Sequence, residues 1–158
     1  MNGRIFQLYD YHIWANERMM NHLKSLPGEI LLKEVDLGFK SIAEVIGHIV
    51  SVDEVWFSRI KEEPSASLAN KQFSNIEEAG NYMNNLQSQI REYLLSVHDM
   101  EKSVTYRNTA GQEFRNSIAE IVQHVVNHGT YHRGNISTIL RHLGYSGIQT
   151  DYIAYLRK

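Results

Sequence analysis

Three histidines, His124, His128 and His132, follow one another at intervals of four residues inside a segment whose apolar residues recur with helical period. On a helix each such step advances about 40° around the axis and ~6 Å along it. Two imidazoles at i and i+4 can therefore converge on one metal ion. The outer two lie ~12 Å apart, whereas each metal–nitrogen bond is only ~2.1 Å. At most two of the three ligate one ion, and His128 belongs to either pair. A third ligand must come from another helix, and His48, set among Val45, Ile49, Val52 and Trp56, is the candidate. An imidazole beside an apolar stripe either needs a hydrogen-bond partner or binds something. Three neutral imidazoles with coordination positions left open suit one divalent ion such as Zn²⁺, Ni²⁺ or Fe²⁺. The stretch is not H-E-x-x-H: Val125-Val126 and Gly129-Thr130 stand where that motif carries its glutamate. No general base is built into the helix, which disfavours zinc-protease chemistry. His12, His22, His98 and His142 read as surface or satisfied core residues.

The elements that position these residues are helices. Ser41-Ile42-Ala43-Glu44, Ser74-Asn75-Ile76-Glu77 and Ser117-Ile118-Ala119-Glu120 each spell the S-x-x-E capping box, and each precedes an apolar pattern of helical period. An uncapped first helix is carried by Ile5, Leu8, Tyr9, His12, Ile13, Asn16, Met19, Met20 and Leu23, and Pro27-Gly28 stops it near Leu26. The patterns predict further helices over 42–61, 76–97 and 118–143, with Gly144 as the last C-terminal cap. Four helices of roughly 20–25 residues with moderate connections specify an all-α four-helix bundle. Val104–Arg107 and Glu113–Arg115 flank Asn108-Thr109-Ala110-Gly111-Gln112, a short hairpin or an extended loop before the last helix. The apolar tail from Tyr145 to Leu156 is expected to pack over the bundle or its rim.

Composition narrows the class. The chain has 158 residues, no cysteine and a formal net charge of -2. One domain over residues 1–158 fits that length, and its core needs no disulfide or structural metal. The absence of cysteine removes a disulfide framework, a Cys-rich zinc module and a thiol nucleophile. Charges are mixed along the chain, with no basic stripe for nucleic acid and no polybasic tail for lipid. No apolar run approaches ~18–20 residues, and the opening MNGRIFQLYDYHIW lacks the pattern of a signal peptide. The expectation is a cytoplasmic protein with no nucleic-acid or membrane partner.

The stretch His124-Val125-Val126-Asn127-His128-Gly129-Thr130-Tyr131-His132-Arg133-Gly134-Asn135-Ile136 resembles the H-V-x-N-H-x-x-x-H-R-G-Q-I signature of the DinB/YfiT-like superfamily. Tyr9-Asp10-Tyr11-His12-Ile13-Trp14-Ala15-Asn16 is similar to that family's Y-x-x-W-A-N start, and His48-Ile49-Val50 through Trp56 to its H-I-x…W second helix. The stretch leading to Gly111-Gln112-Glu113 and the closing Asp151-Tyr152-Ile153 also fit. The resemblance implies a bundle in up-down-down-up order, often dimeric, with a metal bound by one histidine of the second helix and two of the fourth. Carried over residue by residue, these are His48, His128 and His132, which leaves His124 a supporting role. Asn135 stands where the family has glutamine, a difference from which little follows because both are amides.

Around the site, Asn127 and Arg133 point about 100° away from the ligands, and Arg133 reads as a residue that fixes the bundle. Gly134 is expected to permit close helix packing. Trp14, Trp56 and Tyr9 read as core, and Asp53 as a candidate neighbouring carboxylate. Three functional readings compete. The resemblance implies a metal-dependent enzyme, a transferase using a low-molecular-weight thiol against an electrophile, or a related hydrolase, in stress or detoxification. The alternatives are a non-catalytic metal-binding stress-response or dimeric interaction protein, and a plain bundle with histidines in its core. An anionic thiol would call for a basic group beside the metal, and Arg59, Arg107, Arg115 and Arg133 are the candidates.

Overall fold

The computed structural model describes residues 2–158. Its order is α1 (Asn2–Lys24), a 3-10 turn (Gly28–Leu32), α2 (Ile42–Ile60), α3 (Ile76–Ser96), β1 (Ser103–Arg107), β2 (Glu113–Ser117), α4 (Ile118–His142) and α5 (Tyr152–Leu156). The helix starts follow from capping chemistry. Ser41 caps α2 by accepting from the Glu44 amide. The full reciprocal box closes at α4, where Ser117 accepts from the Glu120 amide and Glu120 reaches back to the Ser117 amide. At α3 the box stands one residue later than the S-x-x-E reading: Asn75 is the cap, accepting from the Glu78 amide at 2.8 Å, and Glu78 takes the Ser74 amide. Asparagine caps as well as serine, and the Ile76 side chain buried at the helix start fixes the frame. Gly144 ends α4 with φ of 89°, the left-handed position that favours glycine.

The helix order follows from cross-helix contacts. Tyr11 and Arg133, and then His22 and Ser146, meet in the same sequence direction, so α1 and α4 run parallel. His48 meets His132 while Trp56 meets His124, so α2 runs against α4. Asp10 meets Arg91 while Asn16 meets Gln87, so α3 runs against α1. The bundle is therefore up-down-down-up, with α1 and α2 each packed against both α3 and α4. Its core is a continuous cluster that includes Tyr9, Met19, Ile42, Ile46, Ile49, Met83, Leu94, Ile118, Ile121, Ile136 and Ile139, all under 3 % exposed. No helix among the described residues is long and apolar enough to cross a membrane.

The ambiguous segment before α4 is a hairpin, with Ser103 opposite Ser117 and Arg107 opposite Glu113. Asn108 holds its turn by accepting from the amides of Ala110 and Gln112, while Gly111 adopts φ of 78°. The tail folds back onto α1: Tyr152 and Tyr155 pack against Tyr11, and Tyr155 against Trp14. Close packing at a glycine occurs elsewhere than expected. Gly134 faces open space, whereas a Cβ at Gly129 would stand 2.7 Å from His12 Nδ1 and nearer still to Cε1. Gly47 is as tight, because a Cβ there would overlap the Lys71 carbonyl of the α2–α3 connection.

Candidate metal centre

Helix α2 carries His48 on the border of its buried face, and α4 carries His128 and His132 one turn apart. Antiparallel packing brings the two faces together. The result is a set of three nitrogen ligand atoms, one from each of His48, His128 and His132, all within 4.8 Å of one another. The ring centroids lie 5.0 Å apart for His48 and His128, 4.5 Å for His48 and His132, and 4.3 Å for His128 and His132. Nε2 of His48 and Nε2 of His128 are 3.2 Å apart. Two ligands of a tetrahedral ion with bonds of ~2.1 Å stand roughly 3.4 Å apart, so this pair already has that spacing.

Outer partners orient the rings. His48 Nδ1 faces Asn70 Oδ1 at 3.3 Å, and His132 Nδ1 faces Asn135 Nδ2 at 3.1 Å. Their Nδ1 atoms thus engaged, both rings have Nε2 left as the ligand atom. The His48–Asn70 contact is the arrangement a metal-ligating imidazole uses, with Nδ1–H donated to a carbonyl oxygen. At His132 a half-turn of the Asn135 amide presents Oδ1 and sets the same tautomer. His128 Nδ1 is buried with no hydrogen-bond partner among the described residues. Phe39, from the loop before α2, lies 5.7 Å from the His48 ring and 5.4 Å edge-on from His132. It gives the site an apolar wall that sequence periodicity did not flag, since it belongs to no regular element.

The site disfavours protonation of His128 and His132. Burial first, and then the neighbouring histidines His132 and His48, lower the His128 pKa to about 3. Burial and then His48 lower that of His132 to about 4. Neutral rings are the form a metal needs. The sign for stability is definite. Between about pH 6.5 and the folded values of about 4 for His132 and about 3 for His128, the unfolded chain protonates these residues while the folded chain does not. Their stabilising contribution is complete above about 6.5 and is lost as pH falls through about 4 and about 3. We expect the melting temperature of the metal-free protein to drop across that window, and the drop to be smaller in a His128→Ala variant. A flat profile, or equal drops in both proteins, would overturn this account of the site.

Neighbouring residues sort clearly. His124 does not join the three; its ring packs against Trp56 at 4.8 Å and lies 6.1 Å from His128. Its pKa is lowered, by burial first and then by the charge of Arg59. Asp53 is buried away from the triad and meets His12 at 3.1 Å. Arg133 is 3 % exposed and seals the core by donating to Asn16 at 2.8 Å and Thr130 at 3.0 Å. Among the described residues no carboxylate joins the three nitrogens.

Two antiparallel helices that converge three imidazoles in a four-helix bundle define a helical protein with a histidine-built candidate metal centre. The DinB family model matches residues 1–158, and the chain belongs to the DinB family. It is 35 % identical over 164 aligned positions to Protein DinB of Bacillus subtilis (strain 168), covering 99 % of this chain and 95 % of that one. Its fold is similar to the crystal structure of a DinB-like protein from Bacillus cereus ATCC 10987, with a TM-score of 0.68 at 18 % identity, over 87 % of this chain and 91 % of that one.

Proposed function

We propose that His48, His128 and His132 hold one divalent metal ion, and that the protein is an enzyme that directs a low-molecular-weight thiol against an electrophile. The observation that carries the metal reading is the convergence of three imidazoles, two of them with Nδ1 already engaged by an amide. The donor set fits Zn²⁺, Ni²⁺ or Fe²⁺: three nitrogens, no thiolate and open coordination positions. When bound, such an ion lowers the pKa of a coordinated thiol or water toward neutrality. The chain's own residues favour the thiol. Among the described residues no carboxylate joins the three nitrogens. A thiol of ordinary pKa about 8.5 needs far less assistance than water. The chain contains no cysteine, so the sulfur comes from a small molecule. Asn70 and Asn135 hold the rings, while Phe39 keeps water from one side of the centre.

Metal analysis of the purified, untagged protein beside a His48→Ala variant tests the reading. About one divalent ion per chain in the parent and none in the variant is the expected result. A parent that takes up no Zn²⁺, Ni²⁺ or Fe²⁺ would leave a histidine-rich bundle and remove the enzyme reading with it. A parent that binds metal but neither binds nor turns over thiols would reduce the protein to a metal-binding role.

A further inference from the structure

We propose that Arg59 is the recognition residue for a carboxylate on the thiol substrate, an assignment that rests on the metal reading above. Its guanidinium carbon lies 4.3 Å over the Trp56 ring and 4.7 Å over the Tyr106 ring. Trp56 in turn packs against His124, and His124 stands one turn, ~6 Å along α4, from the ligand His128. Arg59 is thus joined to the ligand candidate His128 through two intervening rings, those of Trp56 and His124, on the α2–α4 side of the bundle.

Its charge is unspent. Among the described residues no carboxylate acts on it, and Tyr106 is the ionisable group that does. Nε is buried with no hydrogen-bond partner, and Nη2 makes a single long contact of 3.4 Å to the Arg107 carbonyl. Burial lowers its pKa, and Tyr106 offsets part of that cost. A half-buried cation held over two ring faces, with Nη1 making no hydrogen bond among the described residues and Nη2 only a long one, can turn its Nη end to a carboxylate.

The other three arginines named from the sequence are disposed differently. Arg133 is sealed in the core. Arg107 is exposed and already pairs with Glu113 at 3.0 Å. Arg115 pairs opposite Thr105, so alternation turns it to the hairpin face away from Tyr106. Of these four arginines, Arg59 is the one that combines an unpaired charge with a chain of ring contacts to the centre.

The test uses zinc-loaded protein, its metal content measured first, titrated calorimetrically with glutathione and with glutathione diethyl ester. The two probes share the thiol and differ in carboxylates. We expect the parent to prefer glutathione on the order of tenfold, the scale of hydrogen bonds to a charged group. Arg59→Gln should lose that preference, with zinc content and ester affinity unchanged, and Arg59→Lys should keep part of it. Equal affinity for both probes in the parent, or an undiminished preference in a folded Arg59→Gln protein, would overturn the assignment. Failure of the parent to take up zinc would show in the first measurement, and would overturn the metal reading itself.

Discussion

His128→Ala is expected to abolish divalent-metal binding while leaving the far-ultraviolet circular dichroism of the protein unchanged. His128 meets both other members of the triad: its Nε2 faces that of His48 at 3.2 Å, and its ring is 4.3 Å from that of His132. The loss should exceed the ~10–100-fold that an outer partner such as Asn135 contributes to metal affinity. The fold should persist because the core is built from apolar residues of all four helices, and because alanine is the best helix former at an interior position of α4. The substitution also removes an Nδ1 buried without a partner. His124→Ala serves as the control, since that ring packs on Trp56 outside the cluster, and should retain metal. Equilibrium dialysis with Zn²⁺ together with circular dichroism decides the matter. Metal retained by His128→Ala, or lost equally by His124→Ala, would show that a different set of atoms holds the ion. Unfolding of His128→Ala would show that the site is structural.

The second large effect lies behind the centre. Asp53→Ala is expected to destabilise the protein by about 3–5 kcal/mol, the cost of leaving one partner of a buried charge network uncompensated. Asp53 on α2 meets His12 Nε2 at 3.1 Å. His12 and Asn16 on α1, both fully buried, lie between Asp53 and Arg133 of α4. Asn16 also donates to Gln87 of α3 at 2.8 Å, so the network touches all four helices. Gly129 makes room for it, because any side chain there would run into the His12 ring. Burial disfavours the Arg133 guanidinium, and Tyr11 first and then the charge of Asp53 act against that. The double variant Asp53→Ala/Arg133→Met should recover much of the loss, since it removes both charges rather than one. Urea unfolding at constant slope measures each variant. A loss under about 1 kcal/mol for Asp53→Ala would mean that the buried arginine is compensated by its neutral hydrogen bonds to Asn16 and Thr130.

Local code made much of this legible in the sequence. Ser41 and Ser117 announce two helix starts through capping, Pro27-Gly28 stops α1 and Gly144 stops α4, each within about two residues of the observed ends. Capping and period act over three or four residues, so they can be read along the chain. The i, i+4 spacing likewise restricts the ligands on α4 to pairs containing His128, and the family signature selects the pair with His132 and adds His48. Spacing alone cannot choose, because His124 and His132 stand equally far from His128 on a straight helix.

Tertiary packing alone decided the remainder. Which α4 histidines face His48 depends on the rotation of α4 against α2. That rotation is set by the whole core, and it turns His124 onto Trp56 instead. The amides that aim the ligands, Asn70 in a connection and Asn135 on α4, carry no periodic signal, and neither does Phe39. Gly129 rather than Gly134 marks the close approach, because the need for a missing Cβ is created by His12 on another helix. By itself the sequence determined where helices form and which side chains bear imidazoles, since those depend on neighbours within one or two turns. The meeting of three rings, the burial of Asp53 with Arg133 and the unpaired state of Arg59 depend on contacts between residues far apart in the chain. Only the folded bundle specifies those contacts.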